Sequence, residues 1–354
     1  MKNLFKILLS LFLLTAVMIL SCNNYEKEQS LLLKPDTKDA TNDFYDNAET
    51  YQLKRSGLEV SGEITNPCKV DFSKLALRSV IVKETILNGN KDTFIGAYRY
   101  DGYSLYDILN RIKLNKKNKE QFKPIIDLYV EVGNDSGEKV KISWGEIFYP
   151  NNLHKIIIAE RVMRIVPSKT KELWELPKES KLVIANDLLT ERNISSPTKI
   201  IVKSYDKDIK VAKGKDPLFS PEIKISKNDK EVEIIRSYPL YLKKHTINTI
   251  FYGRGRGIHS TQPFYGIYLK DFLQTYYPIS RESLKKGIFV IVADDGYRVV
   301  FTFSEIYNRN DQSEVLLICN PKSRNNGIFR LFPSCDFFSD RAVKAITEIQ
   351  YSEN

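Results

Sequence analysis

Asp294-Asp295-Gly296-Tyr297-Arg298-Val299-Val300-Phe301-Thr302-Phe303-Ser304-Glu305-Ile306-Tyr307 decides how this chain is read, because the chain contains it twice. Its twin is Asp135-Ser136-Gly137-Glu138-Lys139-Val140-Lys141-Ile142-Ser143-Trp144-Gly145-Glu146-Ile147-Phe148, aligned without a gap. Asp135/Asp294, Gly137/Gly296, Val140/Val299, Glu146/Glu305 and Ile147/Ile306 are identical. Lys139/Arg298, Ser143/Thr302, Trp144/Phe303 and Phe148/Tyr307 keep their chemistry. A repeat of this length points to a duplicated structural unit.

The stretch has a local structural logic. Asp-x-Gly between apolar runs is hairpin-turn composition, where Gly accepts positive φ and Asp bonds nearby backbone. The runs before it, Leu128 to Val132 and Ile288 to Val292, are β-branched and apolar and read as strands. After the second strand come Ser143-Trp144-Gly145-Glu146 and Thr302-Phe303-Ser304-Glu305. Ser/Thr-x-x-Glu is a capping box, in which hydroxyl and carboxylate satisfy free backbone N–H groups at a helix start. Glu146 and Glu305 therefore recur for a structural reason, and one Glu per repeat supplies no acid/base pair.

Working outward, the matches extend. Asp101 to Leu109 pairs with Tyr265 to Leu273, and Leu105, Ile108, Leu109 and Ile112 fall on one helical face. Downstream, Asp187-Leu188-Leu189-Thr190-Glu191-Arg192 matches Asp336-Phe337-Phe338-Ser339-Asp340-Arg341. Each Asp/Arg pair reads as a local ion pair or cap on a turn before a strand. Leu58 to Pro67 and Val80 to Ile86 read as strands, and the Lys-rich 113–123 segment as a solvated loop. Residues 204–231, charged and carrying Gly214, Pro217 and Pro221, read as a connector.

The N-terminus carries a different signal. Lys2 and Lys6 precede a short apolar run from Ile7 to Leu20, which ends in Ser21-Cys22. The run is short of the ~20 residues that span a bilayer. It resembles a bacterial lipoprotein leader, in which the cysteine is lipidated and becomes the mature N-terminus. The resemblance implies a signal peptide over 1–21, palmitate-type acylation on Cys22 and attachment to a membrane. The expected location is the bacterial cell envelope, at the outer membrane, on its periplasmic or surface face. Residues 22–50 are polar and read as a flexible tether.

Length and composition set the remaining bounds. The 354 residues suffice for two domains plus an anchor, and 42% hydrophobic with 28% charged residues is a globular balance. The formal charge of +10 is spread among acids with no long Lys/Arg block, which argues against a nucleic-acid groove. Four Cys and three His show no CxxC or HxxxH spacing, so no metal cluster is expected. An oxidising compartment would permit a Cys68–Cys335 or a Cys319–Cys335 disulfide.

The order of motifs resembles one known family. Val60-x-Gly62 with Asn66-Pro67, Gly102-x-x-Leu105-x-Asp107-x-Leu109, the Asp-x-Gly hairpin with its Glu, and Asp187 with Arg192 follow one another. This series is similar to the molybdopterin-binding domain of the sulfite oxidase type. The resemblance spans Leu58 to Lys203 and again Val232 to Tyr351. It implies an α+β fold of two tandem domains, 51–203 and 232–354, each a mixed curled sheet with short helices. It also implies molybdopterin as cofactor and, as one reading, an oxidoreductase.

The family holds its metal through one Cys thiolate, but Glu84 to Lys91 and Thr246 to Arg254 contain no Cys. Leu or Asn cannot replace a soft thiolate. No catalytic residue is carried over, and the leading expectation is a non-catalytic binding module. Its partner would be a small anionic ligand, a glycan or an envelope protein. Arg254, Arg256 and His259, in Phe251-Tyr252-Gly253-Arg254-Gly255-Arg256-Gly257-Ile258-His259, are the candidate anion-binding residues.

Overall fold

The computed structural model describes residues 48–353, apart from Asn90, Ser168, Arg324 and Asn325. The leader, Cys22 and nearly all of the tether lie outside the described residues. Ala48–Asn354 form one compact unit.

Copy one runs β1 (Thr50–Gln52), β2 (Glu59–Gly62), β3 (Cys68–Lys69), β4 (Arg78–Asn88), β5 (Lys91–Ser104) and α1 (Leu105–Leu109). It continues with β6 (Leu128–Asn134), β7 (Lys139–Ser143), α2 (Trp144–Phe148), β8 (Ile156–Arg164), β9 (Lys181–Ile184) and β10 (Pro197–Ser204). Copy two begins with β11 (Ile223–Lys227), β12 (Lys230–Ile235), β13 (His245–Ile247), β14 (Phe251–Gly253), β15 (Gly257–Ser260) and β16 (Phe264–Tyr268). It ends with α3 (Leu269–Leu273), α4 (Arg281–Lys286), β17 (Ile288–Ala293), β18 (Arg298–Thr302), α5 (Phe303–Tyr307), β19 (Val315–Cys319), β20 (Phe329–Pro333) and β21 (Ile346–Ser352).

The duplication is visible in the pairing. One sheet of copy one has the order β3-β2-β10-β6-β7, and copy two repeats it as β12-β11-β21-β17-β18. The one parallel pair of each, β2 with β10 and β11 with β21, falls at the same place. The other sheets, β4-β5-β8 with β9 on β8 and β13-β16-β19-β20, correspond in the same way. β11 is thus the counterpart of β2, although its residues lie in the stretch read as connector.

The α+β expectation is overturned. Strands make up 43% and helices 11%, and four small sheets are arranged like the blades of a four-bladed β-propeller. This is not a sulfite oxidase-like α+β fold. The physical reason lies in helix length: α1, α2, α3 and α5 are five residues each, barely more than a turn. The capping signal marks where a helix begins and carries no information on how far it runs. The apolar face expected to extend to Ile112 stops at Leu109.

Both hairpins form as the sequence dictates. β6 and β7 pair from Tyr129↔Ser143 to Gly133↔Lys139, and β17 and β18 from Ile288↔Thr302 to Val292↔Arg298. The turns place Gly137 at φ +91° and Gly296 at φ +81°, the left-handed region that glycine alone enters without cost. Each hairpin faces one main core, Leu128, Val130 and Ile142 in copy one and Phe289, Ile291 and Phe301 in copy two. The 113–123 segment is a loop with Lys113, Lys117, Lys119 and Lys123 exposed, as read, but it is not solvated throughout. Its Phe122 inserts into the core of copy two, and Lys116 is buried against Asp127 at 2.8 Å. Burying a Phe contributes ~2–3 kcal/mol, more than a solvated Lys-rich loop would forgo.

Candidate functional site

The repeated elements meet at a buried seam between the copies. In copy one, Arg192 Nε and Nη2 donate to Asp187 (2.8 and 2.6 Å), and Nη1 and Nη2 donate to Glu146 (2.9 and 2.5 Å). In copy two, Arg341 Nε and Nη2 donate to Asp336 (2.7 and 2.6 Å), and Nη1 lies 2.6 Å from Glu305 Oε1. The Asp/Arg pair of each copy is therefore an ion pair, as its spacing suggests. It is also buried, and each capping-box Glu joins it.

The hydroxyls tie one copy to the other. Ser143 Oγ accepts the Glu146 N–H at the start of α2 (2.9 Å) and donates across the seam to Glu305 Oε2 (2.7 Å). Thr302 Oγ1 accepts the Glu305 N–H at the start of α5 (3.1 Å) and donates across to Glu146 Oε2 (3.2 Å). Arg192 reaches Thr302 Oγ1 at 3.2 Å and Arg341 reaches Ser143 Oγ at 3.3 Å. Backbone follows the same reciprocity: Leu188 N–H donates to Asn308 O (2.8 Å) and Phe337 N–H to Tyr149 O (2.7 Å). The full capping box forms only in copy two, where Glu305 returns to the Thr302 N–H. Gly145 is needed at the seam, since a Cβ there would sit 2.3 Å from the Arg341 guanidinium.

Four carboxylates share two guanidiniums here, and they divide unequally. Burial pushes the Glu305 carboxyl up to about 7, with Arg341 opposing and Glu146 adding to the rise. Burial likewise takes Asp187 up to about 6, against the pull of Arg192. Burial acts on Glu146 too, but Arg192 outweighs it and holds that carboxyl below its usual range. Burial favours the protonated acid and a facing guanidinium the carboxylate, and the balance between the two differs from group to group.

A cleft opens at the edge of the seam, with a volume of about 260 Å³. Corresponding loops of the two copies build it, Pro150-Asn151-Asn152 with Arg309-Asn310-Asp311, and Ala185-Asn186 with Ser334-Cys335. Asn310 N–H donates to Asn186 O at 2.9 Å, and the Asn310 amide donates to Ala185 O at 2.7 Å, which fixes the walls. Lys155 and Arg309 supply positive charge; Arg309 is mostly buried and gives two of its donors to Asp311 (2.9 and 2.5 Å). Convergent amides and cations in a concave seam can take a hydroxylated anion. Sequence reasoning missed these residues. The available signal was the amide-rich extension directly after each copy of the repeated stretch.

The three residues proposed from the glycine-rich run lie nearby in copy two. β14 and β15 form a two-stranded ribbon, with Arg254 and Arg256 at its turn. Arg254 is committed to Asp340 (2.8 and 2.5 Å), which holds its guanidinium above its ordinary range. Arg256 is exposed, and His259 packs against Gly253, where a Cβ would meet its Nε2 at 2.3 Å. None of the three lines the cleft. The ribbon instead presents Tyr252 and Ile258 to a second cavity of about 420 Å³.

The stretches where the resemblance placed a metal-binding thiolate are filled by other contacts. Glu84 bonds Lys181 at 2.7 and 2.8 Å, and the Leu87 N–H donates to Glu191 at 2.6 Å. One group of donors, Glu305, Cys335 and Asp336, has ligand atoms within 4.8 Å of one another. Arg341 already holds both carboxylates. Burial, helped by Asp336, pushes the Cys335 thiol well above its ordinary value. These residues do not fit a molybdenum pterin, whose metal needs a thiolate. Cys68, Cys319 and Cys335 are free thiols.

No protein-family model matches this chain, and no curated protein matches it.

Proposed function

We propose that this protein is a non-catalytic binding module, held at a bacterial envelope membrane through lipid on Cys22, that captures a small anionic ligand in the cleft between its two copies. One observation carries the reading: Lys155 and the amides of Asn151 and Asn186 line one cavity of about 260 Å³, beside an Arg309 that is paired with Asp311 in the same wall. Lys155 forms no salt bridge among the described residues, so its charge is available to a ligand. The buried carboxylates beneath are held by Arg192 and Arg341, and Asp311 in the cleft wall is paired with Arg309, which leaves Lys155 as the net positive charge of the cleft. Cys335 in the cleft wall donates to Asp336 at 3.4 Å, but burial keeps its thiol well above the ordinary value, which does not suit a nucleophile.

Isothermal titration of the full-length protein with phosphate, sulfate, glucuronate and glucose tests it. At least one anion should bind while glucose does not, and Lys155→Glu should weaken that anion at least ten-fold. If no anion binds, or if Lys155→Glu leaves the affinity unchanged, the reading is wrong.

A further inference from the structure

The second cavity adjoins the cleft. Asn151 and Ser334 line both, so a ligand seated on Lys155 and Arg309 can extend past them without leaving the surface. Alone, the cleft of about 260 Å³ is smaller than the ~300–1,000 Å³ of ordinary ligand sites; joined to the adjoining 420 Å³, it falls inside that range. The site is therefore larger than a single small anion needs.

The wall of the extension differs in chemistry from the cleft. Ile250 is 64% exposed, Ile258 65%, Phe337 51% and Tyr252 37%, and all four line this one cavity. Tyr252 and Phe337 lie with ring centroids 5.7 Å apart. Single exposed apolar residues need no explanation, but four converging on one concavity mark a contact surface. Thr249, Asn151 and Ser334 add polar groups to the same lining. The occupant must thus have an apolar face and a polar rim, and must connect to an anionic group at the cleft end. A pyranose ring has such a face and rim, and among the described residues the one carboxylate lining the extension, Asp336, is already held by Arg341. A second charge on the ligand finds no partner there.

We infer that the ligand is an acidic glycan of at least two sugar units, with its acidic sugar in the cleft and a neutral ring against Tyr252 and Phe337. This rests on the anion-binding reading of the cleft. Titration of the full-length protein with glucuronate, a glucuronate-containing disaccharide and a neutral disaccharide separates the two claims. The acidic disaccharide should bind at least ten-fold tighter than glucuronate and far tighter than the neutral one. Tyr252→Ala with Phe337→Ala should bring the ratio of acidic disaccharide to glucuronate affinity close to one. Ile258→Ser, at an exposed position, should lower the same ratio should the double variant fail to fold. Glucuronate binding with no gain for the disaccharide, or a ratio that the wall variants do not change, overturns the inference and leaves the cleft reading standing. Equal binding of the neutral disaccharide overturns it too. Absence of glucuronate binding overturns it, and absence of binding by glucuronate, phosphate and sulfate alike removes both.

Discussion

Lys139 in copy one and Arg298 in copy two occupy the same place, the first residue of the strand after the Asp-x-Gly turn, yet one stands in water and the other is fully buried. The 113–127 segment makes the difference. It lies over copy two, where Asp127 and Gln121 each accept from Arg298 at 3.2 Å and Phe122 packs 4.5 Å from its guanidinium. At the seam the same Asp, Arg and Glu recur in both copies, but Glu305 is pushed up to about 7 and Glu146 is held low. The comparison teaches that duplication fixed the backbone and the ion-pair geometry. Whatever packs on each copy from outside then set its electrostatics.

The largest effects should come from breaking the seam. Arg192→Met and Arg341→Met each strand buried carboxylates and should lower unfolding free energy by ~3–5 kcal/mol in urea titrations. At pH 7 the Arg341 variant should fall at the lower end, because Glu305 can hold a proton and Glu146 cannot do so as readily. Equal losses would mean that the two halves of the seam are electrostatically alike.

Next in size is the outer pair. Arg298→Met should cost ~2 kcal/mol, less than a seam arginine because Lys116 still faces Asp127. Lys139→Met should change stability by less than ~0.5 kcal/mol, as exposed ion pairs do. Similar losses at both positions would erase the distinction drawn above.

The pH dependence should be of the same order as the loss at Arg298. Glu305 and Asp187 bind protons more tightly folded than unfolded, so their contribution is complete below the unfolded carboxyl range and is lost as pH rises through about 6 to 7. Stability should therefore fall by roughly 1–3 kcal/mol between pH 5 and pH 7.5. Glu305→Gln should flatten that slope in thermal melts. Glu146→Gln should lessen it without removing it, since the Glu146 charge adds to the rise of both Glu305 and Asp187 while burial remains the larger cause.

What the sequence made legible was local. The hairpins, the caps at Ser143 and Thr302, and the Asp/Arg pairs all involve residues a few positions apart, where spacing alone specifies the contact. The order of the matched motifs also carried the duplication, which the sheet pairings repeat. The α+β reading failed because a cap and an apolar face cannot distinguish a single turn from a full helix. The cleft was not legible, because Asn186 and Asn310 or Ser143 and Glu305 meet only through the packing of the two copies. Arg254, Arg256 and His259 drew attention by composition, while the ribbon they sit on offers its apolar side chains to the adjoining cavity.

Both tryptophans, Trp144 and Trp174, belong to copy one, so fluorescence reports on that copy while far-UV circular dichroism reports on both. Urea unfolding of the full chain followed by the two signals tests whether the reciprocal seam makes one body of the duplicated halves. The two transitions should coincide at a single midpoint, as a single cooperative unit requires. A fluorescence transition that finishes while a large part of the circular dichroism signal persists would show that the copies unfold separately, and that no shared buried network joins them.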